Sequence, residues 1–196
     1  MLTVRYQDLC KHREAGCHHD LLWRLCFAKR RDIRLRKILK LKGWFYTLYA
    51  LHVCNHPEVV PIIAADFAER TLPVYEECRP DDDRPRRLLE SVRNGTVTHA
   101  TVEAVGESLD DLIKDSSLPF LSLIYNAGKA VYFVGCITEE RDTVRSAHYF
   151  SHVSYDAISG AKSHTYDSAV LREKEKRERE WQVQRLFWYC DNYEPK

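Results

Sequence analysis

The chain has 196 residues, of which 44% are hydrophobic and 30% charged, and its formal net charge is +1. This length and composition predict one folded domain with a single core, and exclude a disordered or fibrous chain. The near-neutral charge argues against a strongly basic nucleic-acid binder and against an acidic mimic of DNA.

Residues 1–20 show no clean periodicity and are predicted to be an irregular N-terminal segment. The seven cysteines of the chain are odd in number and irregularly spaced, with no secretory signal before them. They are therefore expected to be free thiols in a reducing cytoplasm. The segment does concentrate possible zinc ligands, which are Cys10, His12, Cys17, His18 and His19. Their spacing fits no standard zinc finger, so ordinary thiols and surface histidines are favoured over a metal site.

A dense basic run follows, with nine basic residues and one acid, Asp32, between Arg24 and Lys42. On a helix, Leu35, Ile38 and Leu39 share one face. The opposite face carries the candidate partner-binding cations, which are Lys29, Arg30, Arg34, Arg36, Lys37 and Lys40. Such a run is either a solvated face that keeps the protein soluble, or a surface that attracts an acidic protein or a phosphate backbone.

The next feature is a helix, an acidic turn and a second helix. Apolar residues at steps of three and four predict one helix from Ile62 to Arg79, and Pro80 stops it. Asp81, Asp82 and Asp83 are N-cap candidates for the second helix, with Pro85 in its first turn. Four residues of the turn are candidate partner contacts, namely Asp81, Asp82, Arg84 and Arg86. The alternative is that Asp83 caps the helix and the arginines form internal salt bridges.

Asn94-Gly95 predicts the end of that second helix, and Thr96 or Thr98 caps the next one. The inward face of this next helix is predicted from apolar residues at steps of three and four, which are Val102, Val105, Leu109, Leu112 and Ile113. Its other face is acidic and holds no histidine or third acid at the offset that a metal or acid–base site needs.

The segment 120–137 is apolar and allows two predictions. Its β-branched and aromatic residues allow a hairpin that turns at residues 126–129. A buried helix is favoured because the neighbouring elements read as helical and an isolated hairpin needs a sheet to join. Asn126 and Lys129 at its centre argue against a membrane span.

Two further helices are predicted towards the end of the chain. The first is capped by Asp142, and its inward positions are Val144, Ala147, Ser151, Tyr155 and Ile158. His148 and His152 lie one turn apart on it, but without the glutamate of a metalloprotease motif they are expected to be ordinary histidines.

The last helix begins near residues 166–168. Pairs of opposite charge four residues apart, Glu173 with Arg177 and Glu175 with Arg179, predict an exposed rod there. The rod is followed by a hydrophobic end that docks on the body or on a partner. This end consists of Trp181, Val183, Leu186, Phe187, Trp188 and Cys190.

The string Ala-Glu-Arg-Thr-Leu-Pro-Val-Tyr-Glu-Glu at residues 68–77, followed by Pro-Asp-Asp-Asp-Arg-Pro-Arg at 80–86, resembles a known signature. It is similar to that of the immunity-protein domains of bacterial polymorphic toxin systems. Residues 177–186, Arg-Glu-Arg-Glu-Trp-Gln-Val-Gln-Arg-Leu, resemble that family's last helix. The resemblance covers mainly residues 65–93 and 177–186. It implies a small, all-helical cytoplasmic protein that neutralises a toxin by binding it.

The sequence shows no phosphate-binding glycine loop, nucleophile elbow, HExxH helix or dinucleotide fingerprint, so we expect a protein that is not an enzyme and needs no cofactor. A metal-dependent hydrolase that uses the Cys/His-rich segment is the enzymatic alternative. The predicted fold is all-α, a single bundle of about seven helices over residues 1–196.

The predicted function is that of a cytoplasmic immunity or inhibitor protein with a protein partner, a toxin or a defence effector, and with no membrane role. One alternative is a phage-encoded, anti-CRISPR-like inhibitor of a host defence complex. The other is a nucleic-acid-binding helical module that uses residues 24–42, with the aromatic rings of residues 43–54 available for stacking.

Overall fold

The computed structural model describes residues 3–5, 32–42, 47, 50–51, 58–115, 121–140, 149, 152–157, 159 and 168–193. These residues form an all-α helical bundle with two short strands, which confirms the predicted fold class. Contacts divide the chain into two compact units, unit 1 (Met1–Val60 and Val183–Lys196) and unit 2 (Pro61–Gln182). The single domain over residues 1–196 stays a prediction.

Unit 1 contains a two-stranded antiparallel ladder, in which β1 (Thr3–Arg5) pairs with β2 (Asp32–Arg34). Helix α1 (Leu35–Lys42) follows β2 directly. The sequence predicts an irregular segment where β1 lies and a helix that already includes Arg34, so the structure differs at both places. The physical reason is Ile33, a β-branched residue that is 1% exposed and paired with Val4 in the ladder.

The other helices are α2 (Val59–Glu69), α3 (Leu72–Cys78), α4 (Arg84–Asn94), α5 (His99–Lys114), α6 (Leu121–Glu139) and α7 (Ser168–Asn192). Residues 152–157 are also helical. Helices α2 and α7 each contribute residues to both units.

The single helix predicted from Ile62 to Arg79 is wrong, because the chain breaks between α2 and α3. The Thr71 backbone N–H and hydroxyl both donate to the carbonyl oxygen of Ala68, at 3.1 and 3.0 Å. Pro73 lies in the first turn of α3. A proline there has no N–H to continue the α2 hydrogen-bond ladder, and its ring would clash with the carbonyl of Glu69.

The boundaries predicted on either side of α4 and α5 are confirmed. Gly95 ends α4 in the left-handed conformation with φ 67°. Thr98 caps α5 through a reciprocal capping box with Thr101. Asp83 takes the N-cap position of α4, but its side chain makes no capping hydrogen bond.

Two predicted inward positions are wrong. Ile113 on α5 is 51% exposed, whereas Val102, Val105, Leu109 and Leu112 are buried as predicted. Tyr155 is 63% exposed, while Val153, Ser154, Asp156 and Ala157 around it are buried. Ile113 lies just past the edge of the buried stripe of α5, whereas Tyr155, with buried residues at about 100° and 200° on both sides, lies opposite the buried stripe of its helix.

The described part of the segment 120–137, residues 121–137, is helical, as favoured, and forms most of α6, the central helix of unit 2. It packs against α3, α4 and α5. Two glycines allow the close approach: a Cβ at Gly128 would lie 2.8 Å from Leu109 and 2.9 Å from Tyr75, and one at Gly135 would lie 2.8 Å from Val102. Among the described helices, α6 has the length and apolar composition that could cross a membrane. Its contacts on several sides are those of a core helix.

Helix α7 starts at Ser168, close to its predicted start, and both charge pairs form, Glu173 with Arg177 and Glu175 with Arg179. The prediction of a fully exposed rod is wrong at Glu178, whose side chain is 3% exposed. Arg70 donates to its carboxylate at 2.8 Å, and the Arg70 guanidinium stacks 4.2 Å from the Trp181 ring centre. This salt bridge anchors the middle of α7 in unit 2.

Candidate partner-binding surface

The described part of the predicted basic face lies on β2 and α1. Leu35, Ile38 and Leu39 are buried at the spacing of one helix face. The cations project from the rest of the surface: Arg34, Arg36 and Lys40 are exposed and Lys37 is half-buried. Lys29 and Arg30 lie outside the described residues. The packed apolar face holds α1 in place, so its cations are presented on a rigid element.

Arg36 ties α1 to the end of α7 within unit 1. Its guanidinium donates to the Asp191 carboxylate and lies 5.0 Å from the centre of the Phe187 ring. The Arg36 side chain remains 47% exposed. One of the predicted contact cations therefore also has a structural role.

An exposed aromatic side chain lies on α7, in the same unit. Trp188 is 47% exposed, and the Arg185 guanidinium stacks 4.6 Å from its ring centre and 5.1 Å from that of Tyr189. Sequence reasoning placed Trp188 in a hydrophobic end and missed Arg185. The spacing of three residues between them, which brings two side chains together on a helix, is the signal that could have found the pair. We call the set Arg34, Arg36, Lys37, Lys40, Arg185 and Trp188 the basic-aromatic surface.

Charge is distributed unequally between the two units. Unit 1 contains 14 Lys and Arg against 7 Asp and Glu, a net charge of +7. Unit 2 contains 16 Lys and Arg against 22 Asp and Glu, a net charge of −6. The overall charge of +1 thus hides a strongly basic unit, and the basic-aromatic surface lies on it.

In the acidic turn, the predicted contact residue Asp82 makes its contacts within the fold. Asp82 accepts five hydrogen bonds from three residues. The Tyr75 hydroxyl donates to Oδ2 at 2.9 Å, and Ser108 Oγ donates to the same atom. Arg84 donates its backbone N–H and Nε to Oδ1 at 3.2 and 2.8 Å, and its terminal nitrogen to Oδ2 at 2.8 Å. Tyr75 and Ser108 also contact each other. We call Tyr75, Asp82, Arg84 and Ser108 the Asp82 network.

The electrostatics of the Asp82 network follow from these donors. Burial by itself would raise the pKa of Asp82, but the hydrogen bonds from Arg84, Ser108 and Tyr75 together hold it well below its usual range. Burial raises the pKa of Tyr75 to about 12. The network therefore contains a neutral phenol and an ionised carboxylate, and its hydrogen bonds stabilise the packing of α3, α4 and α5.

The remaining turn residues are Arg86 and Asp81. Arg86 forms a two-pronged salt bridge with Glu76, with both nitrogen–oxygen distances 2.7 Å. Asp81 is exposed. Arg84 and Arg86 thus form the internal salt bridges that the structural alternative predicted, with Asp82 and Glu76 as their partners.

The described residues include no group of three or more His, Cys, Asp or Glu that could hold a metal ion. Cys10, His12, Cys17, His18 and His19 lie outside the described residues, as does His148. His152 stacks on the Phe133 ring with centroids 4.9 Å apart. Three cysteines that the structure describes, Cys78, Cys136 and Cys190, are free thiols.

Comparison of the chain with known protein families, with curated proteins and with solved structures found no significant match.

Proposed function

We propose that this is a binding protein without enzymatic activity, an immunity or inhibitor protein that neutralises a toxin or effector by covering its surface. The observation that carries the proposal is the basic-aromatic surface of unit 1. Arginine and tryptophan dominate the binding energy of protein interfaces, and here both are exposed on packed helices. Ordering costs at such a surface are small because its backbone is already fixed.

The charge of unit 1 supports a role in association. Exposed cations raise the rate at which an oppositely charged partner is captured, and they select against basic partners. Arg34 on β2 and Lys40 on α1 are both exposed and flank Arg36 in the sequence. They form the centre of the proposed contact.

The resemblance to immunity proteins supports the proposal through the fold. Its most specific residues, those at 68–77 and 80–86, build the junction of α3, α4 and α5 through the Asp82 network. The proposed contact lies outside that signature, on the basic-aromatic surface. On this proposal the protein acts in the bacterial cytoplasm and needs no cofactor.

Two alternatives use the same surface. A phage-encoded inhibitor of a host defence complex would bind a different protein through the same charged and aromatic contacts. A nucleic-acid-binding module is favoured by one observation, the combination of exposed cations with a stacked, exposed tryptophan. Its affinity would fall steeply with salt, with a log–log slope of about one for each phosphate contact.

The test pairs two double variants of equal charge change. Arg34→Glu with Lys40→Glu alters the basic-aromatic surface while leaving the Arg36 contacts in place. The control is Arg172→Glu with Lys174→Glu, which reverses the charges of two exposed cations near the N-terminal end of α7. Each tagged protein is used to capture partners from lysate of the source bacterium, and the captured protein is then expressed alone and together with each variant.

We expect one stoichiometric protein that wild type and the control retain and the surface variant loses. Expressed alone it should arrest growth, and wild type should restore growth. A captured protein that is harmless alone, or that the surface variant binds and neutralises as well as wild type does, would contradict the proposal. If the captured material is instead removed by nuclease, and its binding weakens as salt is added, the nucleic-acid-binding module replaces the inhibitor proposal.

A further inference from the structure

Asp156 lies at the contact between the helical residues 152–157 and α6, both in unit 2. Its side chain is 3% exposed. Of the residues that the structure describes, none places a donor within hydrogen-bonding distance of Oδ2. Lys129 Nζ on α6 lies 3.7 Å from that oxygen, too far for a hydrogen bond. Oδ2 therefore has a counter-charge, but none of the described residues supplies the hydrogen bond that normally accompanies burial.

Two aromatic rings of α6 lie beside the Lys129 end of this ion pair. Lys129 Nζ lies 5.9 Å from the centre of the Tyr125 ring and 5.4 Å from that of Phe133. Phe133 stacks in turn on His152 and on Tyr149, with centroids 4.9 and 5.6 Å apart. Tyr125, Lys129 and Phe133 are spaced four residues apart, so they share one face of α6. With its side chain 3% exposed, Asp156 itself is reached by little water.

The charged groups around Asp156 can be assigned by element. From α6, Lys129 faces the carboxyl group, and its side chain is 30% exposed. From the helical residues 152–157 themselves, His152 lies one turn from Asp156, with its ring against Phe133. From α7, Glu178 bonds to Gln182, which bonds to Ser154 at 2.7 Å. Ser154 is two residues from Asp156, about 200° around the helix, so that contact is on the opposite side.

We propose that the Asp156 carboxyl is a proton-binding site that couples the packing of residues 152–157 on α6 to pH. At neutral pH the group is ionised and held by Lys129. In mildly acidic conditions it takes up a proton, the buried charge disappears, and Lys129 is released to solvent. The proposal rests on this contact within unit 2 and is independent of the proposed function.

The direction of the effect follows from burial. Burial raises the pKa of Asp156 to about 6, although the Lys129 ammonium opposes the rise. In the unfolded chain an aspartate titrates at about 4. The folded state therefore holds a proton that the unfolded state has lost between those two values. This group stabilises the fold most at low pH, and its contribution is lost as the pH rises through about 6.

The experiment follows the carboxyl carbon of Asp156 by NMR in the full-length, ¹³C-labelled protein. The signal is assigned by its absence in Asp156→Asn. We expect a midpoint about two units above that of an ordinary aspartate. In Lys129→Met, which keeps the aliphatic chain between the rings but removes the charge, the midpoint should move higher still. A wild-type midpoint near 4 would overturn the proposal, and so would one that Lys129→Met leaves unchanged.

Stability measurements provide the second readout. As the pH falls from about 7 to about 4, the unfolding equilibrium constant of wild type should fall at least about tenfold relative to that of Asp156→Asn. The control is Asp83→Asn, an exposed carboxylate whose profile should parallel wild type. Parallel profiles for wild type and Asp156→Asn would overturn the proposal. If Asp156→Asn does not fold, the carboxyl-carbon signal of wild type is assigned through its bonds to the backbone. Its titration midpoint then tests the proposal.

Discussion

Unit 2 contains two largely buried aspartates whose surroundings shift their pKa values in opposite directions. Asp82 accepts five hydrogen bonds and faces the Arg84 guanidinium, and its pKa is held well below the usual range. Asp156 is more deeply buried, has one oxygen that receives no hydrogen bond from the described residues, and has a pKa raised to about 6. The comparison shows that donors, more than burial, decide whether a carboxylate stabilises this fold.

Helix α6 lies between these two aspartates. Gly128 packs against Tyr75 of the Asp82 network, and the next residue, Lys129, reaches Asp156. Adjacent residues on a helix point about 100° apart, so one turn of α6 serves both regions. Changes on either side of α6 therefore probe the difference between the two aspartates.

The largest effect is expected from removing the Asp82 carboxylate. Asp82→Ala leaves Tyr75, Ser108 and Arg84 without their common acceptor in a half-buried site. We expect the free energy of unfolding to fall by about 2–4 kcal/mol. Asp83→Ala, which removes an exposed pair with Arg87, should change it by less than about 0.5 kcal/mol. Denaturant titration measures both, and equal losses would show that the network does not stabilise the fold.

The glycine between the two aspartates should give the next largest effect. Gly128→Ala places a Cβ 2.8 Å from Leu109 and 2.9 Å from Tyr75. We expect a loss of about 1–3 kcal/mol from overpacking. The matched control is Gly106→Ala on α5, whose Cβ would lie at an ordinary 3.5 Å from Tyr132. It should stabilise by up to about 1 kcal/mol through helix propensity. Thermal unfolding of both variants would contradict this prediction if they shifted in the same direction.

A smaller loss is expected when one donor leaves the Asp82 network. Tyr75→Phe keeps the ring but removes the hydroxyl, and should cost about 1 kcal/mol. In a double-mutant cycle with Asp82→Asn the two losses should fall short of additivity by at least about 0.5 kcal/mol. Additive losses would mean that the Tyr75–Asp82 hydrogen bond contributes no energy of its own.

As the pH falls, the two aspartates should change the stability of the fold in opposite directions. The contribution of Asp82 is complete above the unfolded pKa of about 4 and is lost as the pH falls below it towards the depressed folded value. Wild type should therefore lose stability below about pH 4 more steeply than Asp82→Asn does. Chemical denaturation at several acidic pH values measures this. A wild-type profile parallel to that of Asp82→Asn would contradict it.

The smallest effect is expected on the outer surface of α7. Arg177→Ala removes an exposed pair with Glu173, and should cost no more than about 0.5 kcal/mol. Arg70→Ala removes the partner of the buried Glu178 carboxylate and should cost several times as much. Urea titration of the two variants provides the measurement. Similar losses would show that Glu178 is not stabilised by Arg70.

The sequence predicted much of the local structure because local signals set it. The end of α4 at Gly95, the cap at Thr98 and the charge pairs of α7 depend on residues within four positions of one another. The break between α2 and α3 was missed although its signal, Thr71 with Pro73, is also local. Apolar residues continue at helical spacing across the break, and that periodicity outweighed the proline in the prediction.

The basic-aromatic surface was predicted in part. The cations of α1 could be found from their density, but Asp191 comes near Arg36 only because α7 returns to unit 1. In the turn, spacing alone left two readings for Asp82, Arg84 and Arg86. The contact of Asp82 with Ser108, 26 residues away, favours the internal one.

By itself the sequence determined the helices, most of their ends and the separation of charge along the chain, because propensity, capping and periodicity act within a few residues. Only the tertiary structure decided which charged groups are buried. Glu178 meets Arg70 across 108 residues, and Asp156 meets Lys129 on another helix. Whether a charge is solvated, hydrogen-bonded or left with an ion pair alone depends on such distant neighbours, and no local pattern encodes them.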